Sequence, residues 1–184
     1  MKKIFILIYL FSATILFGVC SSKEPISTKN KVNISTGQVN KNIVIGKKLP
    51  DYTLSDQYEK RHTLTTSTKK VIFVFTKEAS EIVREFLDVK SKSFLEDNGI
   101  DFVADISGMP TTVFYLFAIP DFKKSQYPIL LMQDKKKASV YKHSINKNTI
   151  MLITLEKKIV KNVKLITNKT DLNNEIKSNK ENKQ

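Results

Sequence analysis

The chain has 184 residues, and 31 Lys or Arg against 18 Asp or Glu give it a formal net charge of +13 at neutral pH. Arg61 and Arg84 are the only arginines, and diffuse lysine without arginine forks or stacked aromatics argues against a nucleic-acid reader. One cysteine, Cys20, and two distant histidines, His62 and His143, exclude an intrachain disulfide and leave no recognisable zinc or other metal site.

In chain order, Lys2 and Lys3 precede an apolar run from Ile4 to Val19, interrupted only by Ser12, Thr14 and Gly18. A spanning helix needs roughly 20 residues, so this shorter run fits the core of an export signal. Cys20 closes it, and Ser21, Ser22, Lys23, Glu24 and Pro25 turn polar at once. Phe17-Gly18-Val19-Cys20 resembles a bacterial lipoprotein box, although such boxes usually carry leucine where Phe17 stands and a small residue where Val19 stands. The resemblance implies that Cys20 is lipidated and becomes the first residue of the mature chain. A cleaved signal that releases a soluble periplasmic protein and an uncleaved N-terminal anchor are the alternatives. All three place the remainder in the bacterial cell envelope, on the periplasmic side.

Residues 21–44 are rich in Ser, Thr, Asn, Lys and Gln and read as a flexible tether, and 178–184 as a polar tail. The domain expected between them covers residues 45–177. Tyr52 to Leu54 and His62 to Leu64 flank a polar turn and predict a hairpin. Val71-Ile72-Phe73-Val74-Phe75 is a continuous apolar run, as in a strand covered on both faces. Ala79, Ile82, Val83, Phe86 and Leu87 then recur at helical spacing, with Gly99 as a stop.

Phe102-Val103-Ala104 predicts a second core strand, and Pro110 opens a helix through Val113, Phe114, Leu116 and Phe117 that ends before Pro120. Phe114-Tyr115-Leu116-Phe117 is expected to bury against the sheet with Tyr115 at the rim, and a partner-binding face is the alternative. Ile129 to Met132 predicts a third strand. Ile150–Leu155 and Ile159–Ile166 predict a pair across Glu156-Lys157-Lys158, and Thr170 a cap for a last helix through Leu172 and Ile176. A hairpin followed by β-α-β-α-β-β-α implies an α/β fold, a central mixed sheet with helices on both faces.

This order, with Gly46-Lys47-Lys48-Leu49-Pro50-Asp51-Tyr52 running on through Leu54 to Asp56-Gln57, resembles the thioredoxin superfamily, peroxiredoxins and membrane-tethered periplasmic thioredoxins in particular. The resemblance covers about residues 45–177. It implies a thioredoxin-like fold and puts Tyr127-Pro128 where the superfamily carries a cis-proline beside the active site. It also aligns Thr76-Lys77-Glu78-Ala79 with the turn that in peroxiredoxins reads Thr-x-x-Cys. There the helix N-terminus lowers a thiol pKa and makes a nucleophile. Ala79 stands in the cysteine's place, and Ser80 cannot replace a thiolate without a base beside it.

The expectation is therefore a redox-inactive, membrane-anchored, thioredoxin-like module that binds or scaffolds a periplasmic or envelope protein, without cofactor or nucleic acid. Its candidate surface is the vestigial rim of Thr76, Lys77, Glu78 and Ala79, Asp105 and Ser107, and Tyr127-Pro128. The alternative is a non-thiol enzyme or small-ligand binder on the 105–110 loop, built around Asp105, Ser107 and Glu78. A strand that ends in Asp105, followed by Ser107-Gly108 and a Pro110-led helix, presents polar groups at the sheet edge where ligands collect.

Overall fold

The computed structural model describes residues 38–40, 42–142 and 148–177. The export segment, Cys20, most of the tether, His143 and the tail lie outside the described residues.

A seven-stranded mixed sheet forms the frame. In chain order its strands are β3 (Thr53–Ser55), β4 (Arg61–Thr63), β5 (Lys70–Val74), β6 (Ile100–Asp105), β7 (Leu130–Met132), β8 (Ile150–Glu156) and β9 (Ile159–Ile166). Across the sheet the order is β4-β3-β7-β6-β5-β8-β9, with β5, β6 and β7 parallel and every other pairing antiparallel. A separate pair, β1 (Gln38–Asn40) and β2 (Ile43–Val44), precedes it. The helices are α1 (Lys77–Leu87), α2 (Phe94–Asp97), α3 (Thr111–Val113), a π-helical turn (Phe114–Ala118), α4 (Ile119–Phe122), α5 (Lys135–Tyr141) and α6 (Lys169–Lys177).

The two-residue alternation of β5 divides it between two cores. Ile72 and Val74 face one layer with Ala79, Val83, Phe86 and Leu87 of α1 and Leu172 and Ile176 of α6. Val71 and Phe73 face the other, with Leu49, Tyr52, Leu64 and the α5 residues Ala138 and Tyr141. Each fully buried large side chain, such as Phe73 or Phe102, contributes roughly 1.5–3 kcal/mol. Gly99 ends the α2 segment at φ +60°, and a Cβ there would lie 2.8 Å from the Ser67 carbonyl oxygen, so only glycine fits without strain.

The predicted hairpin is present, with Leu54 opposite His62. Its polar turn is organised by Asp56, which accepts from the Tyr58 and Lys60 amides at 2.8 and 3.0 Å and pairs with His62 Nε2 at 2.9 Å. Four details differ from expectation. Ile43, assigned to the tether, is fully buried in the second core, so ordered structure begins before residue 45. Residues 135–141 form a helix, capped by Asp134, that no apolar stripe announced. The α6 cap is Asn168, whose Oδ1 accepts from the Asp171 amide at 2.9 Å, and not Thr170. The Pro110-led helix runs past Pro120, because a π turn, with Ile119 N–H donating to the Phe114 carbonyl, widens the spiral ahead of the proline.

Candidate functional site

The site lies at the C-terminal ends of β5 and β6. Thr76 leaves β5 in an extended conformation and caps α1, its Oγ1 accepting from the Ala79 amide at 3.2 Å. On the neighbouring strand, Asp105 turns the chain through its Oδ1, which accepts from the Ser107 amide at 2.9 Å, and its Oδ2 lies 3.7 Å from Lys142 Nζ. Between these two turns and the 111–122 helical stretch opens a cleft of about 770 Å³, within the few-hundred to ~1,000 Å³ span of ordinary ligand sites.

Its walls are apolar. Val74 and Phe75 come from the β5 end, Ile106 and Met109 from the Asp105 loop, and Val113, Phe117 and Phe122 from the helical stretch. Its polar groups are Thr76, Lys77, Ser80, Glu81 and Arg84 from α1, with Asp105, Asp121 and Lys142 around the rest. Three cations face three carboxylates, so the cleft has no net charge of the kind that collects phosphate or polyanions.

Arg84 Nη1 donates to Asp121 Oδ2 at 2.5 Å. Burial works against the guanidinium, but the hydrogen bond and charge of Asp121, aided by Tyr127 and Asp88, outweigh it and hold its pKa above the ordinary value. The same bond, against a small burial cost, holds the Asp121 carboxyl below the usual carboxylate range, with Lys124 adding to the effect. One turn back, Ser80 is nine-tenths buried and its Oγ has no protein partner. Among the described residues no group of three or more His, Cys, Asp or Glu is placed to hold a metal ion.

Of the residues singled out from sequence, Thr76, Lys77 and Asp105 line the cleft. Glu78 points outward and is exposed, Ala79 is fully buried beneath the helix, and Ser107 only contributes its amide to Asp105. The triad of Asp105, Ser107 and Glu78 is therefore not assembled around the cleft.

Tyr127 and Pro128 do not belong to the rim. No peptide bond among the described residues is cis, the one before Pro128 included. Because β7 runs parallel to β6, its entry lies at the opposite end of the sheet from Thr76. The strand that enters beside the Val74–Thr76 turn is β8, with Ile150 opposite Val74 and the buried Thr149 just before it. Tyr127 is a core residue whose hydroxyl donates to Asp88 Oδ1 at 2.9 Å. Gln57 explains the proline. Its Nε2 donates to the Tyr127 carbonyl and its Oε1 accepts from the Ile129 amide, both at 2.8 Å, bridging the residue that lacks an N–H.

The sequence reading missed Ser80, Arg84, Asp121, Phe117 and Lys142. The first two had a signal, since Thr76, Ser80 and Arg84 recur every four residues along one side of α1. A second departure bears on function. Phe114 is buried as expected, but Tyr115, Leu116 and Phe117 are exposed at 64%, 63% and 67%. All three lie in the π turn, whose first residue, Phe114, faces the core.

The sheet order, the crossover through α1 and the cleft at the strand ends define a thioredoxin-like fold. A solved structure of a proposed protein disulfide isomerase from Bacteroides thetaiotaomicron shares it, at 17% identity over 76% of this chain and 89% of that chain, with a TM-score of 0.52. Peroxidoxin BcpB of Mycobacterium tuberculosis is similar at 14% identity, 72% and 93% coverage and TM-score 0.49. A SCO1/SenC family lipoprotein from Bacillus anthracis is similar at 13% identity, 72% and 95% coverage and TM-score 0.47. No protein-family model matches the chain, and no curated protein matches it in sequence.

Proposed function

We propose that the protein is a redox-inactive thioredoxin-like binding module, anchored in the cell envelope through its N-terminal segment, that receives an apolar side chain of an extended polypeptide in the cleft. The observation that carries this reading is an open apolar cleft at the head of α1 in a chain with no thiol beyond Cys20. Thiol exchange and peroxide reduction both need a thiolate at that helix terminus, and Ala79 cannot supply one. The cleft's apolar walls suit capture of an apolar side chain. The partner is then an envelope protein, and the apolar run ending at Cys20 supports its placement there.

A photoreactive residue placed at Val113, in the cleft wall, tests this in cells that carry the full chain. The reading requires a discrete polypeptide adduct, abolished when Ser80→Phe fills the cleft. Adducts that persist unchanged in that variant would refute it.

The cleft volume also suits a small organic ligand, and that observation keeps the second reading in play. A native mass spectrum of the purified protein separates the two. A co-purifying compound below ~1 kDa lost with Ser80→Phe favours the small-ligand binder.

A further inference from the structure

The three ion pairs that line the cleft are not equivalent. Arg84 and Asp121 are closed by a hydrogen bond at 2.5 Å, and Lys77 and Glu81, both exposed, stand 3.5 Å apart along α1. The third pair is lopsided. The Asp105 side chain is only 5% exposed, whereas Lys142 is 57% exposed and its Nζ stays 3.7 Å from Asp105 Oδ2, beyond hydrogen-bond reach. Asp105 Oδ1 is held by the Ser107 amide at 2.9 Å, the one hydrogen bond this carboxylate makes among the described residues. Buried carboxylates normally satisfy both oxygens, and this one lines an open cleft with Oδ2 still able to accept.

We infer that Asp105 sets the specificity of the cleft, selecting polypeptides that carry a lysine or arginine beside the apolar residue. This deepens the polypeptide reading above and rests on it. A guest ammonium or guanidinium at the charge-assisted distance of about 2.7–2.9 Å takes the place that Lys142 holds loosely. Lys142, already more than half in water, turns outward, and the charge of the cleft stays balanced. A guest carboxylate has no such exchange. It must draw Lys142 away and leave Asp105 buried without a counter-ion. A neutral guest donor can bond to Oδ2 but brings no charge to replace the lysine. The net charge of +13 slows the approach of a basic segment, yet charges beyond about 8 Å are screened at physiological salt and leave the local exchange unaltered.

Short labelled peptides with one leucine flanked on both sides by Lys, Gln or Glu test this, by fluorescence anisotropy against the full chain and its Asp105→Asn and Lys142→Gln variants. The lysine peptide should bind about tenfold or more tightly than the glutamine peptide, and the glutamate peptide more weakly than both. Asp105→Asn keeps an oxygen for the Ser107 amide and should level the series. Lys142→Gln, at an exposed position, should widen it. Equal binding of the three peptides, a preference for glutamate, or a lysine preference that survives Asp105→Asn would overturn the specificity and leave the cleft reading intact. If Asp105→Asn does not fold, a series unchanged in Lys142→Gln overturns it alone. Binding of none of the peptides would overturn the polypeptide reading, and the specificity with it.

Discussion

The Arg84 guanidinium grips the Asp121 carboxylate at 2.5 Å, tying α1 to α4 within the lining of the cleft. Two elements that the sequence separates by more than thirty residues are thereby fixed at a set distance, and the cleft width follows from it.

Because Asp121 is depressed in the folded state, chiefly by the Arg84 hydrogen bond, its stabilising contribution is complete above the ordinary carboxylate value of about 3.9. It is lost as the pH falls through the lower folded value. Asp121 is 42% exposed, so the contribution is screened to about 1 kcal/mol. Urea unfolding should find Asp121→Asn less stable by that amount at pH 7. The gap should close below pH ~4, and a gap independent of pH would show that packing, not charge, is responsible.

Tyr52 makes the opposite kind of contact. Its hydroxyl donates to Asp101 Oδ2 at 2.5 Å in the partly buried space under β3. Burial pushes the Asp101 carboxyl up, and the Tyr52 bond, His62 and Thr68 pull it partway back. Burial and the Asp101 charge together push the Tyr52 hydroxyl far above its normal range, so it remains a donor. The folded state therefore holds the Asp101 proton to a higher pH than the unfolded chain does, and stability falls as pH rises through that span. Tyr52→Phe should cost about 1.5–3 kcal/mol at neutral pH, the worth of one hydrogen bond to a charged acceptor, with Thr68 left as the longer remaining donor at 3.5 Å. That cost should shrink on acidification as Asp101 takes up its proton, which denaturant titrations at pH 7 and pH 4 would detect.

Restoring a cysteine is not expected to restore redox work. Ala79 is fully buried and its amide is bound to Thr76, so a thiol there has no path to substrate. With Cys20 replaced, Ala79→Cys should alkylate about tenfold or more slowly than Glu78→Cys at the exposed neighbouring position. Neither variant should consume peroxide, as a coupled peroxidase assay would record.

The sheet was largely legible because its signals are local. The run from Val71 to Phe75, the α1 stripe and the β8–β9 pair each sit in one stretch, and the Asp56-Gln57 motif marks the hairpin turn. Part of the cleft was legible too, through Thr76, Lys77 and Asp105. What escaped depends on distant partners. Pro128 takes its meaning from Gln57, and Arg84 from Asp121. In α5 only Ala138 and Tyr141 are buried, so three lysines conceal a helix whose inner face is two residues wide. The exposure of Tyr115 to Phe117 is not readable from apolar composition, since the same residues suit a buried helix.

The central claim is that a thiol-free cleft binds polypeptide, and amide shifts of the isotope-labelled full chain test it most directly. Extended peptides of varied apolar residues, titrated in, should move Thr76, Ser80, Ile106 and Met109 together and leave Tyr127 and Gln57 unchanged. Ser80→Phe should abolish the effect. Shifts confined to the Tyr127 end of the sheet, or none at these four residues while a small organic compound moves them, would contradict the account.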